Sequence, residues 1–415
     1  MTKYISLILY ATLLFADTKT ITLDECIEKT LKNHPDLKKL SLGVLKSKSA
    51  TDITKADYLP QITLGAQYNP INTFVMSQNG QFKTTRDDNY FVDATLNQKI
   101  YDFSKTLYLI DASKKDIDIA SLSVEQAKAL LVFNVKTLYD AILLQNSVTE
   151  ARESDLKTKE ELYAQAKSLV KEGLKTKADE ATILSSLYSA KDALASSKAQ
   201  KQKALSTLSL YMGQKLEDDM VFEDIVKKAK NLENIESFII DENLELKSLS
   251  KEIDKNALLY DASKASSYGS IDAIASMSHQ NSLSEYDTVA VGFVAKFPIY
   301  SGGRIDAQTQ LYEISKEISK ESYKSKKLYI QDEIDGLLID IKKYEYTIEA
   351  KKALLESSSL ARDIVNARYK EGLSTYIEAL DATTTYLNAK LSLLEAEYSV
   401  RGILNRLEYL RGNIQ

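Results

Sequence analysis

The chain of 415 residues has no tryptophan, one cysteine, four prolines and thirteen glycines. With one cysteine, Cys26, no internal disulfide can form, so nothing covalent staples the fold. The scarcity of proline and glycine leaves few places where an element must stop, which favours long uninterrupted helices. Histidine is nearly missing too, with two residues, and no transition-metal constellation can be assembled from His34, His279 and Cys26. No basic stripe occurs, and the formal net charge is -5; a phosphate backbone needs a basic face, so nucleic acid is excluded as the main partner. Beyond the N-terminus there is no run of about 18 apolar residues, so any crossing of a membrane must be made by strands. No nucleophile elbow or other catalytic arrangement is present, and no cofactor is expected.

The N-terminus itself, "MTKYISLILYATLLFAD", places Lys3, an apolar run from Ile5 to Phe15 and the small Ala16 in the order of a secretory signal. Residues 1–16 are expected to be that signal, with cleavage after Ala16; an uncleaved anchor is the alternative. Cys26 stands in an acidic context away from the apolar run and reads as a thiol half-buried on a helix, not as a lipid-attachment site.

Comparing the chain with itself reveals a duplication. "KEGL" occurs at Lys171–Leu174 and again at Lys370–Leu373, a shift of 199 positions, and Ile100-Tyr101 with Ile299-Tyr300 and Met212-Gly213 with Arg411-Gly412 keep the same shift. Before them the register changes, with "NHPDL" (33–37) matching "NLEL" (243–246), so the first copy carries a longer insert between residues 68 and 90. The first repeat spans 17–213, a connector 214–241, and the second repeat 242–415. Each runs as a helix (22–57; 242–266), two alternating stretches, a very long helix, a glycine corner and another helix.

Residues 103–172 contain neither proline nor glycine, and 304–371 only Gly336. At 1.5 Å per residue each would extend roughly 100 Å, a length that requires coiled-coil packing. Beyond the second corner, Leu373, Tyr376, Ile377, Leu380, Leu387, Leu391, Leu394 and Tyr398 fall close to a 3.5-residue repeat. Gly173 and Gly372 can take positive φ, end one helix and open an αα hairpin.

The alternating stretches lie near 61–69, 90–101, 268–278 and 288–300. "QITLGAQY" sets Ile62, Leu64, Ala66 and Tyr68 against Gln61, Thr63, Gly65 and Gln67, and "TVAVGFVAKFPIY" aligns Val289, Val291, Phe293, Ala295, Phe297 and Ile299 on one face. Such strands suit a transmembrane barrel or a half-buried hairpin on a soluble domain. Four strands cannot close a barrel, so several chains must contribute; two copies would give a plugged barrel of about eight strands, and three, the economical answer, about twelve strands around a water-filled lumen.

"LDECIEKTLKNHPDLKKL", "ADYLPQITLGAQY", "FPIYSGGRIDAQ" and above all "ALDATTTYLNAKLSLLEAEYSVRGIL" (379–404) resemble the TolC-like outer-membrane efflux proteins, over essentially the whole mature chain. The resemblance implies a mainly α fold: a long α-helical barrel continuous with a twelve-stranded trimeric transmembrane β-barrel, four strands per chain. It implies a homotrimer in outer-membrane lipid, extending into the periplasm and fed by an inner-membrane transporter through a periplasmic adaptor. The implied function is passive export in tripartite efflux or type I secretion. The connector 214–241 then forms an equatorial collar.

The same resemblance places Glu378 and Asp381, which share one helical face, in an acidic ring at the periplasmic entrance. Threefold symmetry would gather six carboxylates there, crowding that raises each pKa and attracts cations. Spacing alone favours an exposed acidic face, and the resemblance at "LDATTT" reverses that preference. In the first copy Asp179 stands in the register of Glu378 and Thr182 in that of Asp381. Similarity further implies that Asp179 and Tyr369 meet and hold the entrance shut, with Ser374 where the family has an arginine, leaving a hydrogen-bonded lock in place of a charged one. The tips Gly173-Leu174 and Gly372-Leu373 are candidate adaptor contacts, with turn chemistry as the alternative.

His34-Pro35-Asp36 spells a co-chaperone tripeptide, but Asn33 as a helix start with proline in the first turn fits the residues better. Gly302-Gly303 lacks the ending of a phosphate loop and reads as the turn from strand to helix. A soluble periplasmic coiled-coil scaffold is the alternative function. Drug, polypeptide and metal export share the implied architecture, and five methionines with two histidines weigh against a dedicated soft-metal path.

Overall fold

The computed structural model describes residues 20–76, 82–218, 220–224, 234–281 and 285–414. The expected signal, 1–16, and residues 219 and 225–233 of the connector lie outside them. The elements in chain order are β1 (Thr20–Ile21), α1 (Leu23–Asn33), α2 (Pro35–Ala56), β2 (Gln61–Met76), β3 (Phe82–Tyr101), α3 (Lys105–Lys171), α4 (Lys177–Met212), β4 (Val221–Phe222), α5 (Ile235–Glu242), α6 (Leu244–Ala265), β5 (Ser270–Asn281), β6 (Glu285–Lys296), α7 (Arg304–Lys370) and α8 (Tyr376–Leu410). The two breaker-poor stretches are each a single helix of 67 residues.

The helix expected over 22–57 is two. His34 leaves helical backbone (ψ 123) and Pro35 opens α2, where its missing N–H costs nothing. Asn33 is therefore the last residue of α1, and its Nδ2 donates to the Met212 carbonyl at the end of α4 (3.0 Å). Its counterpart Asn243 does cap a helix: Oδ1 accepts from the amides of Glu245 (3.1 Å) and Leu246 (3.0 Å). Helix α5 occupies part of the 214–241 segment, so α5 and α6 answer α1 and α2.

The chain forms two units. One comprises residues up to His34, 128–235 and 333–415. Its core joins Cys26 and Ile27 of α1 to Val132, Val135, Tyr139 and Ile142 of α3, Leu205, Leu208 and Met212 of α4, and Phe222 of β4. The three-and-four spacing on α3 and α4 is what lets each helix present one stripe to the others. Cys26 is fully buried, and burial pushes its thiol up to about 12. β1 and β4 pair in parallel; the Tyr139 hydroxyl reaches the carbonyls of Ile21 (3.0 Å) and Glu223 (2.9 Å). Arg401 of α8 holds Asp224 just beyond β4 (2.7 Å).

The other unit, 35–127 with 236–332, carries the larger sheet. Its helices α3 and α6 are laced by Lys115–Asp254 (3.2 Å) and Lys255–Asp116 (2.7 Å), exposed pairs worth little each. The sheet is antiparallel in the order β2-β3-β5-β6. The β2–β3 ladder continues to Met76 and Phe82, so most of the longer insert in the first copy is paired strand instead of loop. In the second copy β6 stops at Lys296, which leaves Phe297, Ile299 and Tyr300 outside the ladder. Pro298 accounts for that end, since it has no N–H to give to a neighbour.

Candidate functional site: the hairpin tips and the open sheet

In the first unit both corners close in the same way. Gly173 and Gly372 each have φ +74. Leu174 N–H reaches back to the Leu169 carbonyl (2.9 Å) and Gly173 N–H to that of Val170 (3.1 Å); Leu373 to Arg368 (2.8 Å) and Gly372 to Tyr369 (3.1 Å) repeat the pattern. These are Schellman closures, in which a left-handed residue lets two amides satisfy the last carbonyls of the helix. Leu174 and Leu373 stand 66% and 68% exposed at the tips, apolar groups given to solvent.

Three residues after each glycine the next helix begins on a capping box. Thr176 Oγ1 accepts from the Asp179 amide (3.2 Å) while the Asp179 carboxylate accepts from the Thr176 amide (3.0 Å). Thr375 and Glu378 do the same, at 3.2 Å and 2.8 Å. The Thr375 backbone N–H above all, with the hydroxyls of Thr375 and Ser374 and the charge of Arg368, holds the Glu378 carboxyl below its ordinary range. Asp179 is lowered likewise, first by the Thr176 N–H and then by the hydroxyls of Thr176 and Tyr376 and by Lys175. Asp381, one turn further along α8, is exposed and belongs to no capping box.

Tyr369, next to last in α7, is 3% exposed and packs among Leu162, Ala166, Ile183 and Ala379. Burial raises its hydroxyl pKa, and the charges of Asp179 and Tyr376 add to that. Asp179 and Tyr369 are thus neighbours, yet the tyrosine hydroxyl that lowers Asp179 is that of Tyr376. Ser374 bonds Glu378 within its own chain. Tyr163 of α3 donates to Glu180 of α4 (3.4 Å), a further tie between helices at this end. Sequence reasoning misses the capping threonines and Tyr376, although Thr-x-x-Asp and Thr-x-x-Glu, one residue beyond each "KEGL", carry the capping signature.

In the second unit the register sorts the sheet into two faces. One carries the rows Ile62–Leu96–Ala275–Val291 and Leu64–Ala94–Met277–Val289; the other carries Thr63–Thr95–Ser276–Ala290 and Gly65–Asp93–Ser278–Thr288. The apolar face is left open in one chain, with Val291 83% and Leu64 77% exposed. Both edges, β2 and β6, have no further strand beside them among the described residues. Among the described residues no helix is long and apolar enough to cross a membrane.

Exposed apolar faces, unpaired edges and helices of this length are together the subunit of a membrane channel whose barrel is shared between chains. The same fold is found in solved structures. VceC of Vibrio cholerae superposes with a TM-score of 0.84 at 16% identity, covering 94% of this chain and 96% of its own. CusC of Escherichia coli (strain K12), the cation efflux system protein, is 23% identical over 399 residues, 93% of this chain and 84% of CusC. Outer membrane protein TolC of the same strain is 29% identical over 117 residues, 28% of this chain and 23% of TolC.

A sequence model of the outer membrane efflux protein family matches residues 26–214 and 238–413, and the chain belongs to that family. It is an outer-membrane protein of mainly α fold with a β-barrel part, built as two tandem repeats, and its family is one of transport, not of enzymes.

Proposed function

We propose that three copies join β2 of one chain to β6 of the next, closing a twelve-stranded barrel in the outer membrane, and that their long helices continue it as a tube across the periplasm. The observation that carries this reading is the open sheet. A strand edge facing lipid leaves backbone groups that nothing can satisfy, so the two edges of one chain must be met by those of others. Exposed Leu311, Ile318, Ile339, Tyr346 and Leu360 on α7 fall at multiples of seven, the seam that a neighbouring helix would cover. A soluble scaffold has no use for the exposed apolar sheet face.

The duct serves tripartite efflux or type I secretion. An inner-membrane transporter delivers cargo through a periplasmic adaptor, and the exposed leucines at Gly173-Leu174 and Gly372-Leu373 are the adaptor's contacts. Segment 214–241 contributes to a collar. Glu378 and Asp381 line the entrance, while Asp179, Tyr369 and Ser374 act in its closure, with Tyr376 joining them. Planar-bilayer recording of the purified protein tests this. Stable, cation-preferring conductance is expected; a protein that remains monomeric and soluble without detergent would refute it.

A further inference from the structure

The polar face of the larger sheet carries few charges, and one carboxylate stands apart from the others. Near the helices Lys99 lies opposite Asp272, and Lys296 lies opposite Ser270 in the last row. Toward the other end of the sheet comes the row of Asp93, with Gly65, Ser278 and Thr288. That row and the rows on either side of it hold no lysine, arginine or histidine on this face. Asp272 has a cation across the ladder; Asp93 has none.

Gly65 accounts for how that carboxylate is held. It faces Asp93 across the β2–β3 ladder, and a methyl group in its place would meet Asp93 Oδ1 at 2.3 Å. The carboxylate therefore lies over the glycine, in the space a side chain there would fill. Glycine weakens a strand interior and stands in one where another group must approach closely. Gly292 of β6, by contrast, has nothing within 4 Å of the same position. The second carboxylate oxygen of Asp93 is fixed as well, since Thr95 Oγ1 donates to Oδ2 (3.1 Å). One row further from the helices the same face carries Phe91 and Tyr286, with Gln280 between them accepting from the Tyr286 hydroxyl (3.0 Å). Small side chains thus surround the charge, and bulky ones stand next to it.

We propose that Asp93, seated on Gly65, is a charge filter within the barrel lumen, favouring cations toward the outer mouth and distinct from the acids of the hairpin tips. The inference rests on the reading that three chains close a barrel whose polar face lines the lumen; threefold symmetry then brings three Asp93 carboxylates to one level. Glu378 and Asp381 belong to the other unit, so the two sets of charges can be altered separately. A charge on a wall acts over about 10 Å at 0.1 M salt and about 3 Å at 1 M. The filter therefore works in dilute salt and is screened in concentrated salt. Phe91 and Tyr286 narrow the path beside it, which keeps passing ions within reach, and the low-dielectric wall focuses the field into the water.

Reversal potentials of the full chain in planar bilayers, under a potassium chloride gradient, read the filter. At about 0.1 M, Asp93→Asn is expected to lower the ratio of potassium to chloride permeability roughly twofold, and at about 1 M to leave it unchanged. Gly65→Ala keeps the charge but pushes the carboxylate from its seat, so it should shift the ratio in dilute salt too. Asp287→Asn removes a charge from the opposite face, where Asp287 pairs with His279, and should shift nothing. A conducting Asp93→Asn channel with unaltered selectivity in dilute salt would overturn the filter, as would an equal shift from Asp287→Asn; an unshifted Gly65→Ala would overturn the seat. If the unaltered protein forms no conducting channel, the barrel reading fails and the filter fails with it. Should Asp93→Asn not assemble, Ser278→Lys sets a cation opposite Asp93 in the same row, and the same outcomes decide.

Discussion

Replacing Val291 by lysine puts a charge at the centre of the face that meets lipid. Val291 lies midway along β6, opposite Ala275, and is 83% exposed in one chain. Ala290, one residue away, points to the other face, in the row of Ser276, Thr95 and Thr63. A lysine at the bilayer midplane of a barrel costs about 2–4 kcal/mol, and one in a water-filled lumen close to nothing. Each subunit of a threefold barrel contributes one such site, so Val291→Lys should weaken the assembly by about 6–12 kcal/mol if the sites are independent. Ala290→Lys serves as the internal control, with the same charge on the same strand. Urea-unfolded protein refolded into phospholipid vesicles, with detergent-resistant oligomer scored against urea concentration, reads the difference. Equal loss for the two variants, or no loss for either, would show that the two faces of the sheet do not meet different solvents.

The capping boxes make separate predictions. Thr375→Ala and Thr176→Ala each remove a hydroxyl cap worth about 1 kcal/mol, so amide exchange in the first turn of α8 or of α4 should speed up about fivefold while the rest of each helix is unchanged. The pH dependence follows from the same bonds. A carboxyl held below its ordinary value gives stability that is present above that value and lost as pH falls through the lowered one. Glu378 is lowered by contacts within its own subunit, which opposes the rise that six crowded carboxylates would cause, so Thr375→Ala should move the loss of cation preference in bilayer recordings to higher pH than in the unaltered protein.

The duplication makes much of this fold legible in the amino-acid sequence. A constant shift between the "KEGL" corners decides which elements correspond, and the dearth of breakers locates α3 and α7. What escapes is set by partners far along the chain. Asn33 looks like a cap from its neighbours, but the Met212 carbonyl, 179 positions away, decides its role. The β2–β3 ladder extends through polar residues because strand pairing satisfies the backbone whatever side chains it carries. Left-handed backbone at Phe103 and Ser104 cannot be read from those letters, since both disfavour it; only the alignment with Gly302-Gly303 points there. At the tips the acids stand out as charges, while the capping threonines, though spelled out, are hidden behind the entrance role that family resemblance gives those acids.

The caps change what the acidic pair can be asked to do. Glu378 has two duties, its carboxylate being both an exposed charge and the reciprocal partner of the Thr375 amide, whereas Asp381 belongs to no capping box. The first repeat makes the same division: Asp179 caps α4, and Thr182, in the register of Asp381, carries no charge and bonds its own helix at the Ala178 carbonyl (3.0 Å). The cap is therefore common to both tips and the second acid is not. Asp381→Asn should lower cation preference in bilayer recordings while leaving amide exchange in the first turn of α8 as it was. Glu378→Gln should lower cation preference and keep much of the cap, because an amide oxygen still accepts from Thr375 N–H; Glu378→Ala should lose both. If Asp381→Asn leaves selectivity unchanged while Glu378→Ala abolishes it, the entrance field comes from the capping acid alone, and the ring of six carboxylates is reduced to three.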